Sequence, residues 1–367
     1  MPEKTCVCTP PPGSVTFPVA GLLSWYGVHH RRLPWRETKD PYRVWLSEIM
    51  LQQTQVATVI PYYKRFLERF PTLADLARAE EEDVLKAWEN LGYYSRARQL
   101  HHAAKILIEK FGGHVPARQE DLVKLPGIGA YTAGAILSIA FGQAVVAIDG
   151  NVRRVLCRFF ALDDVLPDKN GDRRLADIMT PFLPLRQAGE FNQGLMELGA
   201  TVCRSRKPLC SECPLSGNCL AHTGGDPESY PARRQKKSIS VRQAVAAIIR
   251  DERGRVLVVK RQTGGLLGGL WKFPGGFCDA GEEPNDALRR TLREEVGIPI
   301  GTETYLALVR HAYTHFRLSL HVFSVKALNP QQGKLNGMHS RWIYPGEIKD
   351  LPLSKADRLV AGHGGLL

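Results

Sequence analysis

From about Val15 to His222, apolar residues recur at three- and four-residue spacing; beyond Ser240 the pattern gives way to short β-branched runs. Segments such as Trp45 to Ile60, Asp83 to Leu91 and Ser95 to Phe111 carry the spacing that turns one face of an α-helix into a core. Pro71, Gly112–Gly113 and Pro126 punctuate them. The stretch TGGDPESYPARRQKKSIS is rich in Gly and Pro, then strongly basic, with little to bury, and reads as a linker over 223–240. Past it, Ala244 to Ile249 and Val256 to Val259 flank Asp251–Gly254 as the arms of a β-hairpin would. Pro284 to Val296 reads as one helix, and Arg317 to Val325 alternates like a strand. The pattern predicts a disordered tail over 1–14, a mainly helical domain over 15–222 and an α+β domain over 241–367.

Charge and cysteine usage narrow the partners. Lys and Arg number 49 against 37 Asp and Glu, a net charge of +12, which favours a polyanionic partner such as nucleic acid. Many proteins are mildly basic, so the motifs must carry that reading. Eight cysteines, four of them clustered, suit a reducing compartment better than a disulfide framework. The start, MPEKTCVCTPPPG, does not read as a secretory signal, and Cys6 and Cys8 within it receive no role. No apolar stretch approaches membrane-spanning length, so no membrane partner is expected. A cytoplasmic protein is expected, associated with the nucleoid if bacterial.

Cys203, Cys210, Cys213 and Cys219 form a C-x6-C-x2-C-x5-C run set among Arg204, Arg206 and Lys207. Thiolates are soft ligands, and loops this short bring four of them to one metal site, with the basic residues projecting towards phosphate. Structural zinc stays open on spacing alone, although zinc sites more often pair two short knuckles. LPGIGAYTAGAILSIAFG, from Leu125 to Gly142, reads as two helices joined by a tight turn at Gly127 and Gly129. Free amides at the start of the second helix suit a phosphate oxygen, the logic of a helix–hairpin–helix grip on DNA. Downstream, AIDGNVRRVLCR places Asp149 just before another helix, where an ordinary N-cap is the simplest role.

In combination these parts resemble the endonuclease III superfamily of DNA glycosylases. Within it, LPWR (Leu33 to Arg36), WLSEIMLQQTQVATVIPYY, LGYYSRARQL, AIDGNV and FNQGLMELGATVC resemble the MutY adenine DNA glycosylases. The resemblance implies a 4Fe-4S cluster on the four cysteines. Breaking an N-glycosidic bond needs an acid on the departing base and a carboxylate facing the sugar cation. By resemblance, Glu48 protonates a ring nitrogen of adenine and later assists water; partial desolvation by Trp45 and Ile49 would raise its pKa as an acid needs. Without the resemblance Glu48 is equally an ordinary solvent-facing helix position. Asp149 is implied to stabilise the oxocarbenium ion or trap it covalently, with Asn151 orienting the catalytic groups. Tyr131 stands where strand-cutting superfamily members resemble one another in carrying a Schiff-base lysine, so a monofunctional enzyme is implied. Leu33, Trp35, Arg36 and Gln193 match the adenine pocket. Gln53 and Tyr93 match residues that enter the base stack when the target base flips out. Packing inside the helical core is the plain alternative for Tyr93.

From Ser238 onward the chain resembles a Nudix domain. GFCDAGEEPNDALRRTLREEVGI places Gly276, Glu282, Arg290, Glu294, Glu295 and Gly297 at the expected spacing, and Glu294 with Glu295 would suit a divalent cation. Thr291 stands where a further glutamate is expected, which makes nucleotide hydrolysis doubtful. HAYTHF resembles the loop with which MutY enzymes find 8-oxoguanine, putting Tyr313, Thr314 and His315 at its tip. Arg233, Arg234, Lys236 and Lys237 of the linker would hold both domains on the duplex, or form a solvated tether. The expected activity is removal of adenine opposite 8-oxoguanine or guanine in double-stranded DNA, by a chain acting as a monomer. Three alternatives stay open: a thymine or uracil glycosylase, a lesion-binding protein without catalysis, and a nucleotide pyrophosphatase with a DNA-binding appendage.

Overall fold

The computed structural model describes residues 16–163, 165, 167–232, 239–265, 267–297, 299–328 and 339–367. Cys6, Cys8 and the basic linker residues Arg233, Arg234, Lys236 and Lys237 lie outside them. The chain divides into two compact units. One comprises Met1–Tyr63, Thr72–Ala74 and His102–Gln235; the other comprises Lys64–Pro71, Asp75–His101 and Lys236–Leu367.

The first unit is helical. Its core gathers Phe17, Phe159, Phe191, Leu195 and Leu198 with the cysteine loop packed on its rim through Cys203, Cys213 and Cys219. The segment Trp45 to Ile60 is not one helix. Pro41–Leu51 and Val56–Arg69 are separate helices, and Gln53 in the turn between them has φ 57°. Periodicity alone misses such a break, because a four-residue interruption nearly restores the helical phase. The hairpin is built as its glycines predict. The short helix Gln119–Leu122 leads into a turn with Gly127 at φ 78°, and Ala130–Ile139 begins at an N-cap Gly129 that offers no capping side chain. Its first amides therefore lack a local partner of the usual kind. Asp149 caps the helix Gly150–Phe159 by accepting from the Val152 N–H.

The second unit centres on a six-stranded mixed sheet: β1 (Ser240–Arg250), β2 (Val256–Lys260), β3 (Trp271–Lys272), β4 (Ile300–Ala312), β5 (Phe316–Ala327) and β6 (Ser340–Ile343). The order is β3-β2-β1-β5-β4, with β6 pairing β2 off this path, and among the strands of the described residues only β1 and β5 pair in parallel. The β1 residues Ala244, Ala246 and Ile248 enter one core with Val360 and Ala361, from the helix Lys355–His363. Val245, Ala247 and Ile249 enter another with Ala287, Leu288 and Leu292, from the helix Pro284–Glu295. Burial on both faces explains why this strand reads as an unbroken apolar run. Residues from the helical half of the sequence belong to this unit too. Trp271 Nε1 donates to Glu82 Oε1 at 2.9 Å and Arg358 Nε to Glu89 Oε1 at 2.6 Å. The helix Glu81–Ala87 and the residues after it are thereby tied to the sheet.

Candidate active site

A cleft of about 860 Å³ opens in the helical unit, and most of the residues singled out above converge on it. Glu48 comes from the Pro41–Leu51 helix, Tyr131 from the first turn after the hairpin, and Asp149 and Asn151 from the start of Gly150–Phe159. Leu33, Trp35 and Arg36 reach it from a 3-10 turn, Gln193 from the helix Ala188–Thr201, Gln53 from the helix break and Gly129 from the hairpin. Gly127 shapes the hairpin without lining the cleft.

Glu48 is only 5% exposed. Burial pushes its carboxyl up to about 7, and the nearby Asp149 charge adds to the rise, against the Tyr131 hydrogen bond and the Arg36 charge. The Tyr131 hydroxyl donates to Glu48 Oε2. Burial also raises the Tyr131 phenol well above its ordinary value, keeping it a donor. Burial raises Asp149 as well, opposed by hydrogen bonds from the Val152 N–H at 2.7 Å and from Asn151 Nδ2 at 3.0 Å. Asn151 is in turn held by Arg154, whose Nη2 donates to Asn151 Oδ1 at 2.8 Å while its Nε donates to the Cys203 carbonyl at 2.9 Å. Gly199 permits this packing, because a Cβ there would come within 2.6 Å of Asn151 Cβ. Trp35 is buried edge-on against Tyr63, with ring centroids 5.4 Å apart.

No motif in the sequence marks Glu197, yet it organises one wall. Its side chain is fully buried and accepts from Arg31 Nε at 2.7 Å, Arg31 Nη2 at 2.8 Å and Arg36 Nη2 at 2.8 Å. Burial opposes ionisation, but these guanidinium hydrogen bonds win and hold the carboxyl down at about 2. The available signal was position: Glu197 lies one helical turn after Gln193 and so shares its face.

The four cysteines line a single cavity with Val155, Phe159, Leu198 and Leu215. Among the described residues no three His, Cys, Asp or Glu side chains converge on one point as a single bound ion requires. Burial raises the Cys213 thiol to about 12, and amide N–H groups of Leu215 and His222 point at Cys213 and Cys219. The buried Arg158, also missed in the sequence, donates to Cys203 Sγ at 3.4 Å and to the Arg204 carbonyl at 2.6 Å. Four thiols with apolar walls, amide donors and a guanidinium are a donor set suited to an iron–sulfur cluster.

In the second unit, Tyr313, Thr314 and His315 form the turn between β4 and β5, closed by the Tyr313 N–H on the Phe316 carbonyl at 2.9 Å. Thr314 and His315 are exposed, whereas Tyr313 turns inward against the sheet core. The Tyr93 hydroxyl lies 2.7 Å from Thr314 Oγ1. Tyr93 has φ 48°, and with Gln53 it makes two of the five non-glycine residues at positive φ among those described. Strain of this kind collects at functional positions.

Residues 46–181 match the family described as HhH-GPD superfamily base excision DNA repair protein, and residues 244–362 match the NUDIX domain. An adenine DNA glycosylase of Rattus norvegicus is 35% identical, with 92% of this chain and 76% of the relative aligned. One from Buchnera aphidicola subsp. Acyrthosiphon pisum is 40% identical over 83% of this chain and 85% of its own. One from Mycobacterium tuberculosis is 42% identical over 68% and 82%. Among solved structures, a thermostable thymine-DNA glycosylase is similar with a TM-score of 0.53 at 30% identity, covering 56% of this chain and 95% of its own. Fold and site define a DNA glycosylase of the helix–hairpin–helix base excision repair superfamily, extended by a Nudix-like domain with a mixed sheet. Within that superfamily, the chain belongs to the adenine DNA glycosylase family. Among the described residues no helix is long and apolar enough to cross a membrane.

Proposed function

We propose that the protein excises adenine paired with 8-oxoguanine, or with guanine, from double-stranded DNA, as a monofunctional glycosylase. The observation that carries this reading is a buried acid, Glu48, raised to about 7 in the same cleft as a second carboxylate, Asp149. At neutral pH much of Glu48 holds the proton that the departing adenine needs. Asp149, held by Asn151 and the Val152 amide, faces the sugar as cationic charge develops. A carboxylate about 4 Å from that cation, at an effective dielectric near 20, contributes roughly 4 kcal/mol, or about a thousandfold in rate. Leu33, Trp35, Arg36 and Gln193 border the flipped base, and Glu197 fixes Arg36 for that purpose. With tyrosine at position 131 the cleft's first helical turn offers no amine for a Schiff base.

Gly127 and Gly129 shape the backbone grip on phosphate, and the strained Gln53 and Tyr93 enter the base stack. Tyr93, Thr314 and His315 form the face that distinguishes 8-oxoguanine from guanine, with Tyr313 buttressing the turn from below. Cys203, Cys210, Cys213 and Cys219 would hold a 4Fe-4S cluster, which when bound ties the loop together and adds a redox-active centre.

The test is strand scission of a labelled duplex with one adenine opposite 8-oxoguanine, with and without hot alkali. Cleavage only after alkali, only at that adenine, and absent from an adenine–thymine duplex is expected. Tight binding without cleavage would leave a recognition protein instead, and cleavage without alkali would overturn the monofunctional assignment.

A further inference from the structure

The Nudix-like domain carries an ion pair that its sequence motif does not announce. Lys272 Nζ lies 2.6 Å from Glu295 Oε1, with the two side chains 11% and 9% exposed. The other Glu295 oxygen accepts the Gly275 N–H at 2.8 Å, and the same ammonium donates to the Gly275 carbonyl at 2.5 Å. Both oxygens of Glu282 are taken by Arg290, at 2.8 and 2.6 Å, and Arg290 also reaches Glu294 at 3.4 Å. Thr291, where a further carboxylate is expected, is buried with its hydroxyl on the Leu288 carbonyl and its methyl against Gly276.

A divalent cation needs about six oxygen ligands at roughly 2.0–2.6 Å. Here one carboxylate is replaced by a threonine, both oxygens of Glu282 are committed to Arg290, and those of Glu295 to the Lys272 ammonium and the Gly275 amide. An incoming dication would also meet the Lys272 ammonium at close range. The cation that Glu294 and Glu295 suggest in the sequence therefore does not fit the residues as they are placed.

We infer that Lys272 is a built-in cation that does for this helix what a divalent metal ion does in a Nudix hydrolase. The carboxylate of Glu295 is neutralised from within, and the domain is a metal-independent scaffold without phosphoanhydride hydrolysis. Lysine suits the part because its ammonium is a compact point charge with three donors.

The experiment titrates the full-length protein with Mn²⁺, following free ion by its paramagnetic resonance signal, beside thermal melts with Mg²⁺ or EDTA. Wild type is expected to take up no Mn²⁺ at this helix and to melt at the same temperature in either buffer. Lys272→Met is expected to melt lower, because it leaves a buried carboxylate uncompensated, and to regain stability with Mg²⁺. Lys272→Met combined with Thr291→Glu, which restores the missing ligand, is expected to bind Mn²⁺ at least about tenfold more tightly than wild type. Uptake of one Mn²⁺ by wild type that is lost in Glu295→Gln would overturn the inference. So would magnesium-dependent phosphate release from nucleoside triphosphates that Glu295→Gln abolishes, or a Lys272→Met protein as stable as wild type and indifferent to Mg²⁺. Wild type alone supplies the Mn²⁺ titration and the comparison of melts in Mg²⁺ and EDTA, so a wild type whose melting temperature rises with Mg²⁺ would overturn the inference even if every variant failed to fold.

Discussion

The phenol of Tyr131 donates a hydrogen bond to the carboxylate of Glu48, joining the first turn after the Gly127–Gly129 hairpin to the neighbouring helix. A donor aimed at a carboxylate favours its ionised form, so this bond restrains the rise that burial imposes on Glu48. In Tyr131→Phe the Glu48 pKa is expected to move upward from about 7. The alkaline limb of the single-turnover excision profile should shift to higher pH; an unmoved limb would mean that the bond does not tune the acid.

Glu48 also makes the protein's stability pH-dependent. Its folded pKa is raised from 4.5 to about 7, so the stabilisation from tighter proton binding is present at low pH and lost as pH rises through about 7. The shift corresponds to about 3 kcal/mol. Glu48→Gln removes the ionisation while keeping an acceptor for Tyr131. Its melting temperature should exceed that of wild type above about pH 7 and approach it in acid, while excision is lost. A melting gap that stays constant with pH would refute this account.

For Asp149→Asn the two roles separate. Asparagine caps helices about as well as aspartate, so the bond to the Val152 amide survives and stability should change by less than about 1 kcal/mol. The charge proposed to face the sugar is gone, so single-turnover excision should fall about a thousandfold. A large loss of melting temperature would show that the cap, not the charge, dominates.

Tyr93 holds a backbone conformation that costs an L-residue roughly 1–2 kcal/mol, at a site where its ring contacts Arg96 and its hydroxyl meets Thr314. Tyr93→Gly relieves the strain, so the melting temperature should hold or rise. The lost stacking surface should weaken binding to the 8-oxoguanine duplex about tenfold, an effect of about the size seen for one base–aromatic stack. Equal affinities measured by fluorescence anisotropy would remove Tyr93 from the lesion face.

The cysteine loop reaches the cleft through Arg154, which bonds both the Cys203 carbonyl and Asn151. Purified wild type is expected to be straw-brown with broad absorbance near roughly 400 nm. Cys213→Ala should lose the colour, and excision should fall along with it as the support for Asn151 and Asp149 loosens. A colourless, zinc-bearing wild type would refute the cluster assignment.

Much of the chemistry is local and therefore readable in the chain. Glycine at 127 permits a left-handed turn wherever it stands, and aspartate before a helix is a cap by its own stereochemistry. The apolar run from Ala244 to Ile249 announces a strand, because β1 is buried on both faces. The helix from Ser95 to Phe111 runs between the ends that its periodicity predicts.

What periodicity could not supply is whatever depends on two distant segments meeting. Glu48 reads equally as a surface glutamate or as an acid raised to about 7, and only burial beside Asp149 and Tyr131 decides between them. Glu197 is one more helical glutamate until Arg31 and Arg36, far back in the chain, close on it. Glu295 reads as a metal ligand until β3 brings Lys272 against it. The sequence by itself determined the elements, the turn chemistry and the inventory of reactive groups, because each follows from interactions within a few residues. Tertiary structure alone decided their charge states and partners, because desolvation and Coulomb energy depend on which distant side chains exclude water from the same space.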